Sequence, residues 1–244
     1  MVSDPLADIS RLEGVPSAIV SSRDAVDAVL RNRGMRAITP AQSAAALLSG
    51  ARASAALSGD PDGWLAGSVR LSTELRALST LIRVSPFQAL ARAHALLAHG
   101  RVAEAELGRV RLDAVAAARL ADLAQLLTRP TTAPGLVLAA VAHAEVATLA
   151  PFGTGDDLVA RAVEHMVLIA TGVDPRAVLV PEAGHLMRRG EYDSGLTAYR
   201  VGGATGVRDW LLHCARALAS GAEASPLAPH RSFREPPDMT RRPP

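Results

Sequence analysis

The sequence predicts an all-α domain, and three observations carry that expectation. Apolar residues make up 49 % of the 244, yet Phe, Trp and Tyr together make up only 3 %. A core of that composition is built mainly from Ala, Leu and Val. Ala and Leu favour helices, whereas aromatic and β-branched residues favour strands. Second, successive segments open on Ser, Thr or Asp and close on Gly, the start and stop punctuation of helices. Third, "APGLVLAAVAHAEVATLA", 133–150, is apolar almost all round. A helix with that pattern is buried on every side, so it is expected at the centre of the domain.

The elements follow in order. Residues 1–39 read as an N-terminal arm, loosely structured at first. A helix is then expected in "SRDAVDAVLRNRG", with Ser22 as N-cap and Gly34 as stop. Thr39 followed by Pro40 is a cap with proline at the first helical position, and that helix is expected to run to Gly59. "DPDG", 60–63, reads as a turn. A helix from Trp64 to Ile82 follows, then one from a Ser85 cap to Gly100. "RVAEAELGRVRL", 101–112, is ambiguous and leaves room for a short β-hairpin. "DAVAAARLADLAQLL" is helical and ends before Pro130. After the central helix come a loop, the helix "DLVARAVEHMVLIATG", and two or three helices within 175–220. The main domain is expected to span 40–220. Residues 221–244 are Pro-rich and polar, a composition expected to be disordered.

Composition excludes several classes. The formal net charge is +2, and the chain has no lysine. Only the tail is locally basic, without the basic stripe and stacking aromatics that nucleic-acid binding needs. Cys214 is the single cysteine, so no intramolecular disulfide can form; it reads as core. Neither Cys-x-x-Cys nor a His-rich cluster occurs, so no structural zinc is expected. "MVSDPLADIS" lacks the basic and apolar regions of a signal peptide. No stretch approaches the ~20 apolar residues of a membrane span. The expectation is a cytoplasmic protein with no nucleic-acid or membrane partner.

Chemistry, if any, belongs to "APFGTGDDLVAR", 150–161. A turn and a glycine loop lead into a helix, the layout of a phosphate-binding site. Two aspartates stand where a phosphate would want N–H groups. Locally, Thr154 reads as the N-cap of the next helix, with Asp157 at N3 as in a capping box. Asp156 and Asp157 then lie at the positive end of the helix dipole, each worth about 0.3–1 kcal/mol. They are also the weak candidates for a cation. Arg161 is expected in a salt bridge within the domain. His143 lies two turns before Ala150, roughly 10 Å along the axis, and reads as a core histidine.

The run "HAEVATLAPFGTGDDLVAR" resembles the signature of Fic (Fido-fold) proteins, His-Pro-Phe-x-Asp/Glu-Gly-Asn-Gly-Arg-x-x-Arg. His143 matches a histidine often found before that motif. "PEAGHLMRRGEYDSGLTAYRVGGATGVRDWLLHCARAL" is similar to the family's C-terminal helices, with Tyr192, Leu196 and Trp210 in place. "SAALSG", which holds Ser54, Ser58 and Gly59, resembles the family's inhibitory motif, Ser/Thr-x-x-x-Glu-Gly/Asn. The resemblance implies the all-α Fido fold and places the flap that docks a target peptide at 101–112. It also implies, for members with the intact motif, transfer of AMP from ATP and Mg²⁺ to a protein hydroxyl.

This chain departs from the motif where that chemistry resides. Ala150 stands at the general base and Thr154 at the metal ligand. Asp156 and Asp157 replace Asn and Gly, and Leu158 replaces the first Arg. Pro151, Phe152, Gly155 and Arg161 remain. The inhibitory Glu is Ser58 here, so Arg161 is expected to lack that partner. The resemblance thus implies a catalytically impaired pseudoenzyme that acts through a protein partner or a bound nucleotide. Thr154, Gly155, Asp156, Asp157 and Arg161 would form the nucleotide site. The alternative is an active nucleotidyl- or phosphotransferase in which Asp156 or Asp157 holds the metal. A homodimer, or pairing with an active Fic protein, is a further expectation.

Overall fold

The computed structural model describes residues 4–33 and 38–228. Eleven α-helices and one 3-10 turn, Glu104–Glu106, make up the described chain, with no sheet among the described residues. A short helix comes first, α1 (Pro5–Ile9), then the long α2 (Val15–Arg33). Next are α3 (Pro40–Leu57), α4 (Pro61–Leu81) and α5 (Pro86–Ala98). The centre is formed by α6 (Ala114–Thr128), α7 (Gly135–Leu149) and α8 (Asp156–Ala170). The chain then folds into α9 (Pro181–Met187), α10 (Arg189–Val201) and α11 (Gly203–Glu223).

Proline at the first turn recurs. Helices α1, α3, α4, α5 and α9 all carry it there, where its missing N–H costs no helical bond. Thr39 caps α3 in a full capping box with Gln42, as expected from Thr39-Pro40. Asp60 caps α4 through Gly63 N–H, so "DPDG" is the first turn of that helix and not a separate turn. Ser85 stands at the N-cap of α5 but makes no side-chain cap bond. Ser22 is not a cap either. It lies buried inside α2, and its hydroxyl donates to the Ile19 carbonyl at 2.9 Å. The helix starts seven residues earlier because Val15, Ile19, Val26 and Val29 supply a buried stripe. That stripe packs along α11. The expected stop at Gly34 lies outside the described residues.

Helix α7 is buried along nearly its whole length and packs chiefly on α8. Around this pair sit α4, α5, α6, α10 and α11. Helix α11 continues to Glu223. Beyond it, Leu227 is still buried and the Ser225 hydroxyl donates to the Val178 carbonyl at 2.7 Å. No helix of the described chain is long and apolar enough to cross a membrane.

The hairpin expected in 101–112 does not form. The segment makes one isolated bridge, His99 to Val102, then the 3-10 turn. Two contacts tie it to the core instead of to a strand partner. Gly108 N–H donates to His94 Nδ1 at 2.9 Å, and Arg111 N–H donates to the Pro151 carbonyl at 2.8 Å.

Candidate functional site

The loop between α7 and α8 is shaped by its backbone. Ala150 ends α7 in the left-handed region, φ +47°. Gly155 occupies the N-cap of α8 at φ +69° and makes no side-chain cap bond. Thr154 is therefore not the cap. A left-handed N-cap suits glycine, because any side chain there would be strained. A Cβ at Gly155 would also come within 3.0 Å of Leu97 and Trp64. Phe152 is buried and stacks on His94, with ring centroids 4.2 Å apart and planes 6° apart. That stack fixes the loop against α5.

The two aspartates have different roles. Asp156 is buried, and its Oδ1 accepts the Phe152 N–H at 2.8 Å. Burial pushes its carboxyl up to about 6, while the N–H groups of Phe152, Gly153 and Thr154 pull the other way. Asp157 is half-exposed and pairs with Arg161 at 3.0 Å. Each carboxylate has an internal partner, the Phe152 N–H for Asp156 and Arg161 for Asp157.

Arg161 is the most enclosed cation of the site, only 1 % exposed. Its Nε donates to Ser54 Oγ at 2.9 Å, and its terminal nitrogens reach the Ser54 carbonyl at 3.0 Å and Tyr192 Oη at 3.1 Å. The salt bridge expected for Arg161 is thus present with Asp157, and Ser54 supplies two further acceptors. Ser58, at the position of the inhibitory Glu, does not reach Arg161. It ends α3, donating to the Ala55 carbonyl, next to Gly59 at φ +84°. Four of the five Arg161 N–H donors are thus taken by Ser54, Tyr192 and Asp157.

Behind Arg161 lies a network that sequence reasoning missed. His143 bonds to Glu164 through Nδ1 and to Tyr192 Oη through Nε2, the latter at 3.0 Å. His185 Nε2 meets the same carboxylate oxygen of Glu164 at 2.7 Å, and its Nδ1 meets His213 Nε2 at 2.9 Å. Trp210 packs within the same ring cluster and donates to the Ala140 carbonyl. Burial opposes the charge on Glu164, but His185 and His143 outweigh it and hold the carboxyl below its ordinary range. Burial lowers His143 to about 4 and raises Tyr192 to about 12. His143 is thus a core histidine, as expected. One turn along α8, His165 lies between Glu182, at 2.9 Å, and Asp174. Burial works against its charge, yet the two carboxylates raise it to about 10. One signal did point here. Arg161, Glu164 and His165 interrupt an apolar run on a helix that must be buried, and buried charges need partners.

No family model and no curated protein matches the sequence. A crystal structure of a Fic family protein from Desulfovibrio desulfuricans G20 does match in structure, with a TM-score of 0.63 and 20 % identity. The match covers 85 % of this chain and 73 % of that one. The chain has the Fic fold. At that identity the likeness concerns the fold, so the chemistry of the site rests on its own residues.

Proposed function

We propose that this Fic-fold protein does not transfer nucleotide and works by binding a protein partner. Asp156 carries the reading. Its carboxylate is turned into the loop and takes the backbone donors that a phosphate would need. An anion brought to the same place would meet a built-in negative charge in a buried setting, where repulsion is strong. Ala150 adds to this. It cannot accept a proton, and a placed general base supplies roughly 10² to 10⁴ in rate. Arg161 is already committed to Ser54, Tyr192 and Asp157. A pairing with an active Fic protein, or with a second copy, fits a chain that keeps the fold without the reacting groups.

The test is calorimetric titration of ATP into the protein with and without Mg²⁺, beside an assay for label transferred from ATP to protein. No heat up to millimolar ATP and no transfer supports the binding role. Mg²⁺-dependent binding that disappears in Asp156→Ala would overturn it and favour a working transferase with rearranged groups.

A further inference from the structure

The geometry points to a structural divalent metal site, of the zinc class, formed by His143, Glu164 and His185 inside the bundle. Their donor atoms, His143 Nδ1, a Glu164 carboxylate oxygen and His185 Nε2, all lie within 4.8 Å of one another. They come from three helices, α7, α8 and α9. All three residues are buried. Imidazole and carboxylate are ordinary zinc ligands at about 2.0–2.2 Å, and tetrahedral donors then stand roughly 3.3 Å apart. A small opening of the two His–Glu contacts admits the ion.

Two orphaned atoms give this arrangement a purpose. Glu164 Oε1 is buried and has no hydrogen-bond partner. As a second oxygen of the same carboxylate it can lean onto the ion, which then has three residue ligands. His213 Nδ1 is also buried and unpartnered, 4.0 Å from the Glu191 carboxylate. If neutral His143 and His185 both donate to Glu164, His213 must donate to His185 from Nε2. Its bare Nδ1 lone pair then faces a carboxylate. With an ion on the facing nitrogens, the protons move outward. His143 Nε2–H donates to Tyr192, His185 Nδ1–H donates to His213, and His213 Nδ1–H faces Glu191. Ligating histidines characteristically donate their second N–H in this way. The ion also compensates the buried Glu164 carboxylate and leaves the three-ligand set with one positive charge. Because the ligands are closed off from solvent, the ion enters as the chain folds, so binding and folding are linked.

The experiment is to unfold the full chain in denaturant with a chelator and refold it with one equivalent of Zn²⁺, with Co²⁺, or with chelator alone. Metal is counted after desalting. The site requires one ion retained per chain, a higher denaturation midpoint with Zn²⁺, and a tetrahedral Co²⁺ spectrum without a thiolate charge-transfer band. Glu164→Gln, which still accepts a histidine N–H, should lose the ion. A wild-type chain that refolds equally well without metal and retains none overturns the site, whether or not the variant folds. So does retention that survives Glu164→Gln, or that disappears when His99 and His230 are replaced by Ala.

Discussion

Arg161 on α8 is held by Ser54 on α3, whose hydroxyl and carbonyl both accept from the same guanidinium, at 2.9 and 3.0 Å. This pair joins the helix carrying the inhibitory-like motif to the helix following the loop. Its environment is dry, so its loss has a direction. Ser54→Ala leaves the Arg161 Nε–H without its acceptor, and an unsatisfied buried donor costs about 1–3 kcal/mol. Asp157 is half-exposed, so water screens its pull on the buried guanidinium, and an Asn side chain there keeps an acceptor oxygen. Urea denaturation should therefore show Ser54→Ala as clearly less stable and Asp157→Asn as close to wild type. The reverse order would mean that Asp157 is the partner that holds Arg161.

The stability of the chain should also fall with rising pH through Asp156. Its folded carboxyl titrates near 6, against 3.8 in an open chain. Between those values the folded state binds more protons than the unfolded one, so stability falls as pH rises through the window. The helix dipole favours the charge, but burial outweighs it. Asp156→Asn keeps the acceptor for Phe152 N–H and removes the titration. The variant should match wild type near pH 4 and exceed it at pH 7. Denaturation midpoints at pH 4, 5 and 7 test this. An Asn variant that is weaker at pH 7 would show that the loop N–H groups stabilise the anion more than burial destabilises it.

Much of the fold was legible because helices are written locally. Thr39-Pro40, the central apolar run and the stop before Pro130 need only neighbouring residues. Val15 shows the limit. Its helix starts there because of the α11 surface it covers, and Ser22, a fair cap by type, is buried by the same contact. The failed hairpin in 101–112 has a similar cause, since His94 and Pro151 take its backbone groups from distant positions. In the site, Ala150, Asp156 and Arg161 could be aligned with a motif. The Ser54–Arg161 contact spans 107 positions, and the His143–Glu164–His185 meeting joins three helices. No spacing rule within one helix encodes either.

His165 offers a test of buried charge. It lies between Glu182 and Asp174, and all three residues are buried. Removing the cation leaves carboxylates without compensation, which costs about 3–5 kcal/mol. His165→Gln should be strongly destabilised. Adding Glu182→Gln should recover part of the loss, because one of the unpaired anions is then neutral. Denaturant midpoints of the single and double variants measure the coupling. Two additive losses would show that Glu182 does not need the histidine's charge.

Helices α9 and α11 cross with close backbone approach at Gly184. A Cβ at Gly184 would lie 1.8 Å from the Ala217 carbonyl oxygen. Backbone atoms cannot rotate away as a side chain can, so the two helices must separate. Overpacking of a core typically costs about 1–3 kcal/mol, and here it also disturbs His185, the next residue. Gly190 on α10 is the control, with nothing within 4 Å of a Cβ built there. In a helix, alanine is favoured over glycine by about 0.8–1.0 kcal/mol. Gly190→Ala should therefore raise the thermal midpoint while Gly184→Ala lowers it. A Gly184→Ala variant as stable as wild type would mean that α9 can slide on α11, and that the position of His185 beside Glu164 is not fixed by this contact.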